Sequence, residues 1–166
     1  MAARTRSRPD RVGEGFPTVL SRFRSFVRLP RAERRAAVFA VAALCYWRAV
    51  LAVTPFGLLT RRLSSRAPAR VSPDPSWPAA VRRAVERGAR TLPGTTCLVQ
   101  SLAGLSMLRR GGHAATLRIG VRSTESPFTA HAWVECDGLL VAGDTERLGE
   151  YRELCRIDDA AGATSS

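Results

Sequence analysis

The stretch TTCLVQSLAGLSMLRRGGHAATLRIGVR at residues 95–122, with FTAHAWVECDGLLVAGD at 128–144, decides the fold. In the first, Leu98, Leu102, Leu105 and Leu108 recur at helical spacing with Ala103 and Met107 beside them, and either Thr95 or Thr96 offers an N-cap hydroxyl, which predicts a helix opening at Cys97. Arg109 and Arg110 followed by Gly111 and Gly112 supply the cations and the glycine of a helix end. His113 then falls in a loop. From 115 to 122, Leu117, Ile119 and Val121 alternate with Thr116, Arg118 and Arg122, the period of a half-buried strand. Asp137-Gly138, flanked by two apolar-rich runs, predicts a hairpin over 129–144, with Asp137 serving the turn. A helix followed by antiparallel strands makes the core α+β.

These elements carry the chemically interesting side chains. A cysteine in the first turn of a helix meets unpaired backbone N–H groups and the positive end of the helix dipole, both of which stabilise a negatively charged sulfur. Cys97 is therefore a candidate nucleophile, although a lone cysteine there is more often a small packed apolar residue. If the hairpin keeps one register outward from its two-residue turn, Cys136 faces Leu139, Val134 faces Val141, Trp133 faces Ala142 and His131 faces Asp144. His131 and Asp144 then form a closely spaced pair on one face, shared with Trp133 and Glu135 because side chains alternate with period two. An imidazole with a carboxylate beside it is the base that a nucleophilic cysteine needs.

Working outward, the net charge of +12 is unevenly spread. Residues 1–90 hold nineteen Arg and five acidic residues, whereas 91–166 hold seven and nine. All 26 basic residues are Arg, which removes Schiff-base chemistry and a P-loop lysine. Such a front half attracts acidic peptide, anionic lipid or nucleic acid without choosing among them. Residues 1–17, polar and broken by Pro and Gly, read as a disordered basic arm, and 18–75 as a helical N-terminal region and linker. Within it a helix starts near Arg31, and AAVFAVAALCYW at 36–47 is apolar throughout. Twelve residues followed by Arg48 are short of a bilayer, so a helix covering the core or a partner is expected, with peripheral membrane contact as the alternative. Four prolines in 64–78 mark a linker or an extended wrapping segment. A short helix is expected over 78–90, its apolar face formed by Val81, Ala84, Val85 and Ala89. The catalytic core is assigned to 76–158 and a disordered tail to 159–166.

Cys45, Cys97, Cys136 and Cys155 show no CxxC pair and no zinc-type spacing, and the Arg-rich N-terminus lacks the apolar run of a signal peptide. The expectation is a cytoplasmic protein with free thiols, no metal and no cofactor.

The run from Cys97 through Arg122, followed by FTAHAWVECDG, resembles the transglutaminase-like B proteins of lasso-peptide biosynthesis, which remove leader peptides; the likeness is close over about 90–155 and general over 20–70. The resemblance implies a papain-like, transglutaminase-like α+β core, in which a Cys-bearing helix packs on a small antiparallel sheet, with an N-terminal helical extension. It also implies a Cys-His-Asp triad: Cys97 as nucleophile, His131 as general base and Asp144 as orienting carboxylate. Trp133, Glu135 and Gln100 are candidates for support or substrate contact. Two departures stand out: Gln100 occupies a place where a basic residue is frequent in that family, and no Gln precedes Cys97 at short range, leaving the Cys97 backbone N–H as an oxyanion donor. The implied partners are a precursor leader peptide, a separate leader-recognition protein and the macrolactam synthetase, with no nucleic acid. The expected activity is cysteine-peptidase cleavage of the leader. The alternatives are acyl transfer to an amine, or a non-catalytic basic scaffold that binds peptide or membrane.

Overall fold

The computed structural model describes residues 31–55, 57–59, 63, 69, 71–122, 129–143 and 148–158. The arm expected at 1–17, the loop through Ser126-Pro127, Asp144 and the tail at 159–166 lie outside the described residues. Three long helices, α1 (Arg31–Val53), α2 (Trp77–Thr91) and α3 (Cys97–Arg110), precede a sheet of β1 (Thr116–Arg122), β2 (Thr129–Cys136), β3 (Leu139–Ala142) and β4 (Arg152–Ile157). The sheet is antiparallel throughout in the order β3-β2-β1-β4, and a 3-10 turn at Leu148–Glu150 leads into β4. The architecture is the expected α+β, a cysteine-bearing helix on a small sheet with a helical extension in front.

The central element is α3. Val99, Leu102, Ala103, Leu105, Met107 and Leu108 are buried, so the helix is enclosed on nearly every side, as a helix apolar around most of its circumference must be. On one side it packs against β2 and β3, and on the other against α1 and α2. Its N-cap is Thr96, whose side chain accepts from the Val99 N–H, which settles the choice between the two threonines. Past its last turn, Gly112 takes the left-handed conformation (φ +78°) while the His113 N–H returns to the Leu108 carbonyl at 3.0 Å.

α1 docks through one stripe, Ala36, Ala40, Leu44 and Trp47, spaced to fall on a single helical face. Trp47 Nε1 donates to Ser106 Oγ of α3 at 3.1 Å, and Arg48 donates to the Pro93 carbonyl in the loop leading to Cys97. The stripe makes this helix a cover for the core. Its other face leaves Val38, Phe39, Val41, Tyr46 and Val53 exposed. Residues Glu33–Val53 are long and apolar enough to cross a membrane by length and composition alone.

In α2 the buried face is Val81, Ala84, Val85 and Gly88, with Ala89 only half covered, and Gly88 admits the Leu44 side chain at the crossing with α1. Before this helix the Asp74 carboxylate accepts from both the backbone N–H and the hydroxyl of Ser76 at 2.8 Å. Those two donors hold its pKa below the usual carboxylate range. Ahead of it, the Ala69 N–H donates to the Arg109 carbonyl at the end of α3, at 2.8 Å.

Sheet register corrects the sequence reading at one place. Cys136 faces Leu139 and Glu135 faces Leu140 across an Asp137-Gly138 turn whose residues both have positive φ (49° and 76°), as expected. Val134, however, faces Ala142 and not Val141, so Val141 is an extra residue in β3. The cause is helix packing: Val141 and Ala142 are both buried against α3 at Gly104, where an added methyl would stand 3.3 Å from Ala142 Cβ. Two consecutive side chains can share one face only if the strand bulges. The uniform register from which the pairing of His131 with Asp144 was read therefore ends at Glu135.

Candidate active site

Cys97 is the first residue of α3, half-buried, with a free thiol. The loop before it is braced locally: Thr95 Oγ1 donates to the Leu92 and Ala89 carbonyls, and Gln100 Nε2 donates to the Thr95 carbonyl at 3.4 Å. Gln100 thus anchors the approach to Cys97.

Helix and strand are aligned by two contacts. One turn after Cys97, the fully buried hydroxyl of Ser101 donates to the Ala132 carbonyl of β2 at 2.9 Å. Three residues further along α3, Gly104 meets Ala142, the partner of Val134. An advance from Ser101 to Gly104 is thus an advance from Ala132 to Val134, so α3 and β2 run in the same direction. The N-terminus of α3, with Cys97, points toward the early residues of β2, where His131 lies.

Within β2, Ala132, Val134 and Cys136 turn to the α3 side, and His131, Trp133 and Glu135 take the other face, as period two requires. The His131 ring lies on that face stacked on Trp133 (centroids 6.2 Å apart, planes 17° apart) and 5.4 Å from Tyr151. Gly120 of β1 pairs with His131, and a side chain there would collide with Trp133 Cη2 at 3.1 Å and Tyr151 Cβ at 3.0 Å. Its bareness gives the aromatic cluster its room. Because His131 faces away from the body of α3, thiol and imidazole can meet only around the end of β2, ahead of Ala132.

Trp133 and Glu135 support this face. Trp133 Nε1 donates to Glu135 Oε1 at 2.9 Å, and Arg118 pairs with both Glu135 (3.1 Å) and Glu153 (2.8 Å). Glu135 is thereby committed to Trp133 and Arg118. The sequence reading missed Tyr151 and Ser101, neither of which sits in a recognisable motif. Ser101 did carry a signal, a polar residue on the apolar face of a helix.

Another group of the same residue types lies elsewhere. His113, Cys136 and Asp137 bring one ligand atom each to within 4.8 Å of one another. As a catalytic triad this arrangement is poor. Cys136 is 2% exposed and belongs to the core, it starts no helix, and its sulfur lies against the Asp137 carboxylate at 3.7 Å without an intervening imidazole.

A family model described as the transglutaminase-like superfamily matches residues 41–156. Neither a curated protein nor a solved structure matches the chain.

Proposed function

The chain belongs to the transglutaminase-like superfamily over residues 41–156, a fold of the cysteine peptidase and acyltransferase type, and from that premise we propose that it is a cysteine peptidase that cleaves the leader from a ribosomally made lasso-peptide precursor. The observation that carries the reading is the alignment of α3 with β2, which turns a capped, half-buried Cys97 toward the strand end bearing His131. In the proposed reaction His131 takes the Cys97 proton, and the sulfur attacks the scissile carbonyl carbon. The C–N bond then breaks, and the amine of the core peptide leaves with the proton held by the imidazolium. The leader remains as a thioester on Cys97 until water, giving up a proton to His131, releases it as a free acid. Asp144 is the proposed partner that orients His131, a role carried by the family resemblance. The leader would be presented by a separate recognition protein, and the freed core amine passed to a macrolactam synthetase in the cytoplasm.

The test is incubation of the full chain, recognition protein and precursor, followed by mass spectrometry. Wild type should yield leader acid and free core, Cys97→Ala neither, and Cys136→Ala both. Complete cleavage by Cys97→Ala overturns the assignment, and a leader joined to an amine in place of the acid shows an acyltransferase.

A further inference from the structure

The group at the turn end of β2 has a property the proposed peptidase does not use. The His113 ring is 5% exposed, fixed where the chain leaves α3, and its Nε2 is buried with no hydrogen-bond partner among the described residues. A buried polar atom left without a partner is costly, which makes a completing group the expectation. Beside the ring stand the Cys136 sulfur and the Asp137 carboxylate; one His113 nitrogen and one ligand atom from each of these lie within 4.8 Å of one another. The Cys136 thiol donates to the Asp137 carboxylate, and a cation that displaced this proton would meet two negatively charged ligands and the imidazole, which a water molecule does not exploit.

The donor set chooses the cation. One thiolate, one imidazole and one carboxylate suit a borderline-soft divalent ion and disfavour magnesium and calcium, which take oxygen ligands. For tetrahedral zinc, bond lengths of about 2.0–2.3 Å separate the ligand atoms by roughly 3.3–3.6 Å. Cys136 Sγ and Asp137 Oδ2 are already 3.7 Å apart. Asp137 is exposed in the hairpin turn, so its carboxylate can swing to close the remaining gaps and the fourth coordination position opens to water. We propose that His113, Cys136 and Asp137 form a zinc site that clips the loop after α3 to the β2–β3 hairpin. Five residues of extended chain, roughly 17 Å, separate it from His131, so it stands apart from the peptidase centre.

The experiment uses the full chain, equilibrated with zinc and desalted for metal analysis, and titrated separately with Co²⁺ while thiolate-to-cobalt charge-transfer absorption is followed. The expected result is one zinc per chain and a charge-transfer band that Cys136→Ser abolishes and Cys97→Ala leaves intact. Asp137→Asn keeps the turn, because Asn accepts positive φ, and should weaken Co²⁺ binding at least tenfold. Absence of retained zinc and of the band in wild type overturns the proposal and leaves His113 with an ordered water. A band that survives Cys136→Ser, or that disappears with Cys97→Ala, also overturns it. If Cys136→Ser fails to fold by circular dichroism, Asp137→Asn decides, and an unchanged Co²⁺ affinity is the refuting result. Because Cys97→Ala leaves the metal readout alone, failure here is distinguishable from failure of the peptidase reading.

Discussion

Ser101→Ala tests the alignment on which the proposed chemistry depends. The Ser101 hydroxyl is fully buried and donates to the Ala132 carbonyl at 2.9 Å. Alanine removes one oxygen with little change of shape. The lost bond and the less satisfied carbonyl in the core together cost about 1–2 kcal/mol. In a chain of 166 residues each kcal/mol moves Tm by about 2–4 °C, so thermal melts should show a fall of about 2–8 °C. The bond also sets how far α3 sits along β2, and reaction geometry is sensitive to displacements below 1 Å. kcat for precursor cleavage is therefore expected to fall about tenfold with KM nearly unchanged, a split that general loosening of the fold would not produce. A variant within 0.5 kcal/mol (about 0.5 on the scale of ordinary surface substitutions) of wild type in stability, cleaving at the wild-type rate, would refute the reasoning.

Two further outcomes are expected. Leu44→Ala opens a cavity where α1 crosses Gly88 and should cost about 3 kcal/mol, lowering Tm by about 6–12 °C in calorimetry, with Cys97 alkylation unchanged below the transition. Asp158 has its pKa lowered by the Arg156 side chain, with Thr116 adding a hydrogen bond. A carboxylate depressed in the folded state stabilises above its ordinary pKa of about 3.9, and that contribution is lost as pH falls through the lower folded value. Tm followed from pH 7 downward should therefore drop less steeply below about pH 4 in Asp158→Asn than in wild type, and parallel acid limbs would exclude the effect.

What the sequence disclosed depended on how local the cause was. The Asp137-Gly138 turn and the α3 cap each arise within a few residues and appear where expected, whereas β1 forms over the expected residues without the expected alternation: Leu117 is buried but Ile119 and Val121 are only half-buried, and the pairing with β4 shifts register between Ile119 and Gly120. The bulge at Val141 arises from Gly104 more than thirty positions earlier, so no window around the hairpin could reveal it. β4 was hidden for a different reason. Arg152, Glu153, Leu154 and Arg156 are exposed, leaving Cys155 and Ile157 as too faint an inward pattern to mark a strand. Of the candidate site, Cys97 and His131 were legible as residue types in favourable elements, and Trp133 and Glu135 as neighbours on one face. The meeting of His113 with Cys136 was not, because their separation follows no ligand-spacing rule and is bridged only by folding.

The order of the sheet has a consequence for synthesis on the ribosome. β4 is the last strand made, yet it pairs with β1, the first, so Leu117 waits for Ile157. At about 5–20 residues per second, the thirty-five residues between the end of β1 and the end of β4 take roughly 2–7 s to emerge, during which the outer side of β1 has no neighbour. Arg118 and Arg122, which later pair with Glu153 and Glu150, stand along that strand throughout the interval. Before they stabilise the finished domain, these two cations guard a nascent chain against joining its neighbours on the same message.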